Sequence, residues 1–137
     1  MIKFNYETNF TLKNEEKLST WIKESIQGDG FKVGEINYVF SDDAYLHKLN
    51  VEFLNHDTLT DIISFDNTLG KLISGDVFIS IERVKENATT FDTSFNNELH
   101  RVMIHGILHY MGLKDKTEEE KQTMRTKENQ CLSVLNT

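Results

Sequence analysis

At 137 residues the chain has the length of one domain. Such a domain buries roughly 68–70% of its unfolded surface and needs neither disulfide nor metal merely to fold. Its single cysteine, Cys131, excludes an intramolecular disulfide and fits a reducing compartment. The net charge of -7 counts against a broad nucleic-acid-binding face, which is ordinarily basic, while leaving room for a local basic cleft or a bound cation.

The start, MIKFNYETNF, alternates apolar and polar residues and does not read as a signal peptide. No stretch approaches the ~18 apolar residues of a membrane span. The expectation is a soluble cytoplasmic protein. Ile2, Phe4 and Tyr6 predict a half-buried strand. Asn14, followed by Glu15 and Glu16, predicts a helix start. Leu18, Trp21, Ile22 and Ile26 carry its apolar stripe, and Gly28 suits a left-handed stop. A second strand is expected over Phe31 to Phe40, then a short helix capped by Ser41 and carrying Tyr45, Leu46 and Leu49. Thr60 to Asp66 and Gly75 to Ile81 predict two more strands, with a helix near Ile81 to Asn87.

The last third reads as helical. Ser94 is a candidate cap, and Leu99, Val102, Met103, Ile107 and Met111 share a face up to Gly112. Thr117 and Glu120 have capping-box spacing at the start of a final helix. Met124, Glu128, Cys131, Leu132 and Leu135 lie along one side of it. No linker, repeat or low-complexity run divides the chain. The expected architecture is α+β: one compact domain over residues 1–137, a mixed sheet of about four strands packed with helices, and a metal-binding helix near the C-terminus.

The chemistry concentrates in His105-Gly-Ile-Leu-His109. Histidines four apart on a helix project from one face, so the backbone places two imidazoles for one ion. Gly112 ends the helix and lets the chain fold back, bringing Asp115 within reach. Two nitrogens and a carboxylate suit zinc, leave a fourth position for a water nucleophile, and admit harder divalent metals. A surface or hydrogen-bonded core pair of histidines is the competing explanation. A zinc protease would carry glutamate where Gly106 stands, which disfavours that class. Glu128 is a candidate helper in proton transfer, or else half of a surface salt bridge. His47, His56 and His100 lack ligand spacing, and Tyr110 should point into the packing.

The run from His105 to Asp115 resembles the signature of the YbeY family of rRNA-maturation endoribonucleases, His-Gly-x-Leu-His-x-x-Gly-Tyr-Asp-His. Leu49-Asn50, Thr60 to Phe65, Gly75-Asp76-Val77, Met124 and Glu128 extend the resemblance from about residue 45 to the C-terminus. It implies a zinc ion, cleavage of single-stranded RNA, maturation of the 16S rRNA 3′ end, and a role in ribosome quality control. Ribosomal or ribosome-associated proteins are the implied partners, with no membrane and no DNA. Thr60 and Ser64, on one face of the expected strand, could contact RNA. Three departures from the pattern stand out. Asp115 replaces the third histidine, Leu113-Lys114 replaces Tyr-Asp, and Leu54 stands where the family has an arginine suited to phosphate. Lys48, Lys71, Arg83, Lys114 and Lys116 are the nearby cations that could stand in. Two rival readings remain: a ribosome-assembly binding factor with an organisational metal, and a small hydrolase of peptides or esters.

Overall fold

A computed structural model describes residues 1–137. The elements run β1 (Ile2–Tyr6), α1 (Glu15–Gly28), β2 (Lys32–Ser41), α2 (Asp43–Leu54), β3 (Ile62–Asp66), β4 (Leu72–Ser80), α3 (Ile81–Thr90), α4 (Phe95–Tyr110) and α5 (Glu118–Leu135). The sheet order is β1-β2-β4-β3. β1 and β4 both run parallel to β2, and β3 is antiparallel to β4, so the sheet is mixed as expected. No helix is long and apolar enough to cross a membrane.

The side-chain alternation of the strands sorts the layers. Ile36, Tyr38, Phe40, Ile73, Val77 and Ile79 face a main core shared with α1, α3, α4 and α5. Leu46 and Ile63 are also buried but lie outside that cluster. They belong to the opposite face, where α2 covers β3 and β4 and Tyr45 stacks on Phe78. Tyr38 pins the sheet to α4 by donating its hydroxyl to Met103 O at 2.8 Å. Trp21 Nε1 donates to Cys131 O at 2.9 Å and ties α1 to α5.

Several boundaries differ from the sequence expectation, each for a local reason. Asn14 adopts a left-handed φ of 61° and makes no capping hydrogen bond. Gly28 stays helical, and the left-handed turn falls on Gly30. Ser41 completes β2, while Asp42 caps α2 by accepting from Tyr45 N at 2.9 Å. β3 begins at Ile62, so Thr60 precedes the strand. β4 starts earlier than expected, at Leu72, and Ser80 caps α3. Ser94 and the Thr117–Glu120 capping box act as expected.

The position of α4 is set by two close approaches. A Cβ on Gly106 would meet Ile62 Cδ1 at 3.1 Å and Val77 Cγ1 at 3.4 Å. A Cβ on Gly75 would meet Phe65 O at 2.5 Å and the Tyr110 ring at 2.7 Å. Tyr110, the last residue of α4, also donates from its hydroxyl toward Phe65 O and Asp76 O, at 3.2 and 3.0 Å. Gly75→Ala should therefore push α4 off the sheet and cost about 1–3 kcal/mol of stability. A urea-denaturation midpoint equal to that of the wild type would contradict this packing.

Candidate metal centre

His105 and His109 emerge from the flank of α4 next to the one that Gly106 packs on the sheet. The helix ends in a Schellman motif. Gly112, with φ 104°, donates to His109 O at 3.0 Å, and Leu113 N donates to Leu108 O at 3.1 Å. This reversal delivers two groups. Leu113 O accepts from His109 Nδ1 at 2.9 Å, and Asp115 returns beside the histidines. The first contact uses a backbone carbonyl, so it does not need a particular side chain at Leu113.

His105 is fixed from the other direction. Its Nδ1 lies 2.6 Å from Glu128 Oε2, and Arg101 Nη1 donates to Glu128 Oε1 at 3.0 Å. Glu128 is only 4% exposed, so the pairing is internal rather than a surface salt bridge. Burial alone would raise the Glu128 pKa. The hydrogen bonds from His105 and Arg101 outweigh it and hold the carboxyl below its ordinary value. Burial likewise works against a charge on His105, but Glu128, Asp115 and Asp61 together raise its pKa.

These partners decide the tautomers. A carbonyl and an ionised carboxylate can only accept, so both Nδ1 atoms carry the hydrogen and both Nε2 atoms present lone pairs. The two Nε2 atoms lie 3.0 Å apart, and Asp115 Oδ2 lies 3.3 Å from His105 Nε2 and 3.2 Å from His109 Nε2. Three electron-pair donors at such distances repel unless a proton or a metal ion lies among them. Tetrahedral ligands of a zinc ion at about 2.0–2.1 Å stand about 3.3 Å from one another, close to these spacings. The donor set therefore fits a metal ion, and the site opens to solvent, with the His109 side chain 31% exposed.

The other expected residues are placed as follows. Thr60 donates its hydroxyl to Ile62 O at 3.2 Å, and the Ser64 hydroxyl lies at Tyr110. His47 pairs with Asp57, and His100 packs edge-on against Trp21. Gly106 is explained by packing, since a longer side chain there would run into β3 and β4. Leu54 is 42% exposed. Of the stand-in cations, Arg83 is held by Asp43 at 2.8 Å and Lys71 lies over Phe31. The arginines nearest the histidines are ones the sequence reading missed. Arg101 and Arg125 line a hollow of about 280 Å³ that His105 also borders. A helical offset of four residues from His105 was the available signal for Arg101. A larger hollow of about 710 Å³, between the start of α1 and the C-terminus, contains none of these groups.

The model of the family described as endoribonuclease YbeY matches residues 3–136. The chain belongs to the YbeY family. Endoribonuclease YbeY of Flavobacterium johnsoniae is 56% identical over 135 residues, covering 98% of this chain and 97% of that protein. Its counterpart in Christiangramia forsetii is 52% identical, covering 98% and 94%. The fold is similar to the solution structure of TM1509 from Thermotoga maritima, with a TM-score of 0.69 at 23% identity over 99% of this chain and 92% of that one. YbeY membership thus extends upstream of residue 45, where the sequence motifs gave no signal, to include β1 and α1.

Glu98, on α4 beside this centre, yields a pH test. Burial, together with nearby Asp61 and Glu128, raises its pKa despite Arg101 and Arg125. A raised carboxyl pKa contributes stability below the unfolded value that is lost as pH rises through the folded value. Glu98→Gln should therefore melt higher than wild type at pH 7, with the gap closing towards pH 3.5. A gap of equal size at both pH values in thermal melts would contradict the assignment.

Proposed function

We propose that the protein holds one zinc ion on His105, His109 and Asp115 and uses it to cut single-stranded RNA during maturation of the 16S rRNA 3′ end. RNA cleavage and rRNA maturation are the activity of the family to which the chain belongs. The observation that carries the metal assignment is the pinning of both Nδ1 atoms, which turns both Nε2 lone pairs toward Asp115. When bound, such an ion supplies Lewis acidity at a phosphodiester and a nucleophile near neutral pH.

The chain's own residues divide the remaining work. Two imidazoles and one carboxylate favour zinc over magnesium or calcium, which prefer all-oxygen sites. Asp115 in place of a third imidazole lowers the net charge of the centre and softens its pull on a phosphate oxygen. Glu128 is a positioning residue that holds the His105 ring and raises its basicity, with Arg101 fixing Glu128 in turn. Gly106 can move no proton, so proton transfer falls to groups outside the helix face. With a net charge of -7 the protein has little unaided attraction for RNA. Ribosomal or ribosome-associated proteins would then deliver it to its substrate, and a place in ribosome quality control fits the same partners.

Elemental analysis of purified protein should find about one zinc per wild-type chain and none in His109→Ala or Asp115→Ala, with RNA cleavage lost in step. A wild type that takes up no metal even on reconstitution would overturn the proposal. Glu128→Gln keeps the shape but loses the negative charge. It should bind zinc about 10–100-fold more weakly in a competitive chelator titration. Unchanged affinity would show that Glu128 does not position His105.

A further inference from the structure

The hollow beside His105 has the wrong shape and chemistry for a mere gap between helices. Its volume of about 280 Å³ lies just under the ~300 Å³ at which ligand pockets begin, so it admits one planar ring rather than a whole nucleotide. Its lining includes Asp61, Asn87, Phe91, Glu98, Arg101 and Arg125. Glu98 is 5% exposed, and neither a hydrogen bond nor an ion pair holds its carboxylate. The oxygens keep solvent contact, and a ligand N–H entering the hollow would supply them a direct donor. Asp61 offers a second carboxylate, steadied by Asn87 Nδ2 at 3.3 Å.

The same wall also carries donors. Arg101 gives one N–H to Glu128 and retains others. Arg125, whose side chain is 56% exposed, stands at the edge of the hollow and approaches Glu128 only at 3.9 Å. Phe91, 60% exposed, offers a face for stacking. A ring that satisfies this wall needs adjacent N–H donors for a carboxylate and carbonyl or ring-nitrogen acceptors for a guanidinium. Guanine has both: N1–H and the 2-amino group side by side, and O6 with N7. Uracil has one ring N–H, while cytosine and adenine set an acceptor beside the amine, which repels a second carboxylate oxygen.

We propose that this hollow is a guanine subsite, taking the base of the nucleotide next to the phosphodiester cut at the metal centre, with Arg125 on its phosphate. The proposal rests on the RNA-cleaving function above, but base recognition is measurable without cleavage. Guanosine and inosine 5′-monophosphates differ only in the 2-amino group and contain no phosphodiester to cut. Titrated into the zinc-loaded full chain and followed by NMR, guanosine monophosphate should bind about tenfold more tightly than inosine monophosphate. Glu98→Gln should erase that difference, and Arg125→Ala should weaken both nucleotides equally. Equal affinity of the two nucleotides for wild type would overturn the subsite, as would a preference that survives Glu98→Gln. A parallel assay on RNA 12-mers with a single guanosine separates the two claims. Guanine preference in binding with no RNA cut would fail the nuclease reading alone, whereas RNA cut with equal nucleotide affinities would fail the subsite alone.

Discussion

The close contact of α4 with β3 and β4 is the constraint on which the rest depends. One side of this helix is packed so tightly that Gly75 beneath it has no room for a side chain and Gly106 has room for little more than a hydrogen. Tyr110 then locks its C-terminal end to the carbonyls of β3 and β4. A helix held this firmly on one side presents a rigid flank beside it, and His105 and His109 occupy that flank. The cost of ordering two candidate metal ligands is met by the fold before any ion arrives. The glycine that makes the chain unlike a zinc protease is therefore one that this close approach favours.

The second consequence concerns protons. Each histidine has its Nδ1 hydrogen directed to an acceptor supplied by a different part of the chain, Glu128 on α5 for His105 and the Leu113 carbonyl for His109. The Schellman turn at Gly112 does two jobs, since it places that carbonyl and brings back Asp115. A change in the turn would thus disturb the tautomer of His109 and the placement of Asp115 together. The departures from the family signature at Leu113 and Lys114 leave this arrangement intact because the backbone, rather than the side chain, makes the contact.

Much of this was legible in the sequence because it is local. The i, i+4 histidines, the helix-ending glycine and Asp115 lie within eleven residues, and helical geometry alone brings the first two together. Capping at Ser94 and Thr117 followed side-chain chemistry that acts within one turn. The failures were also physical. Asn14 and Ser41 have capping chemistry but adopt backbone positions that do not use it, and Asp42 caps α2 instead. Thr60 looked like the first strand residue by composition, yet pairing with β4 begins only at Ile62. Glu98 and Arg101 share a face of α4 with His105, but the hollow also needs Asp61 and Asn87 from other segments, and no periodicity joins those to the helix.

The central claim is that a single metal ion sits among His105, His109 and Asp115. Anomalous diffraction at the zinc edge, from crystals of the protein with one equivalent of zinc, tests it most directly. The account predicts one strong peak bonded to both Nε2 atoms and the Asp115 carboxylate, with Glu128 outside the coordination sphere. A peak elsewhere, or one in which either imidazole binds through Nδ1, would contradict it.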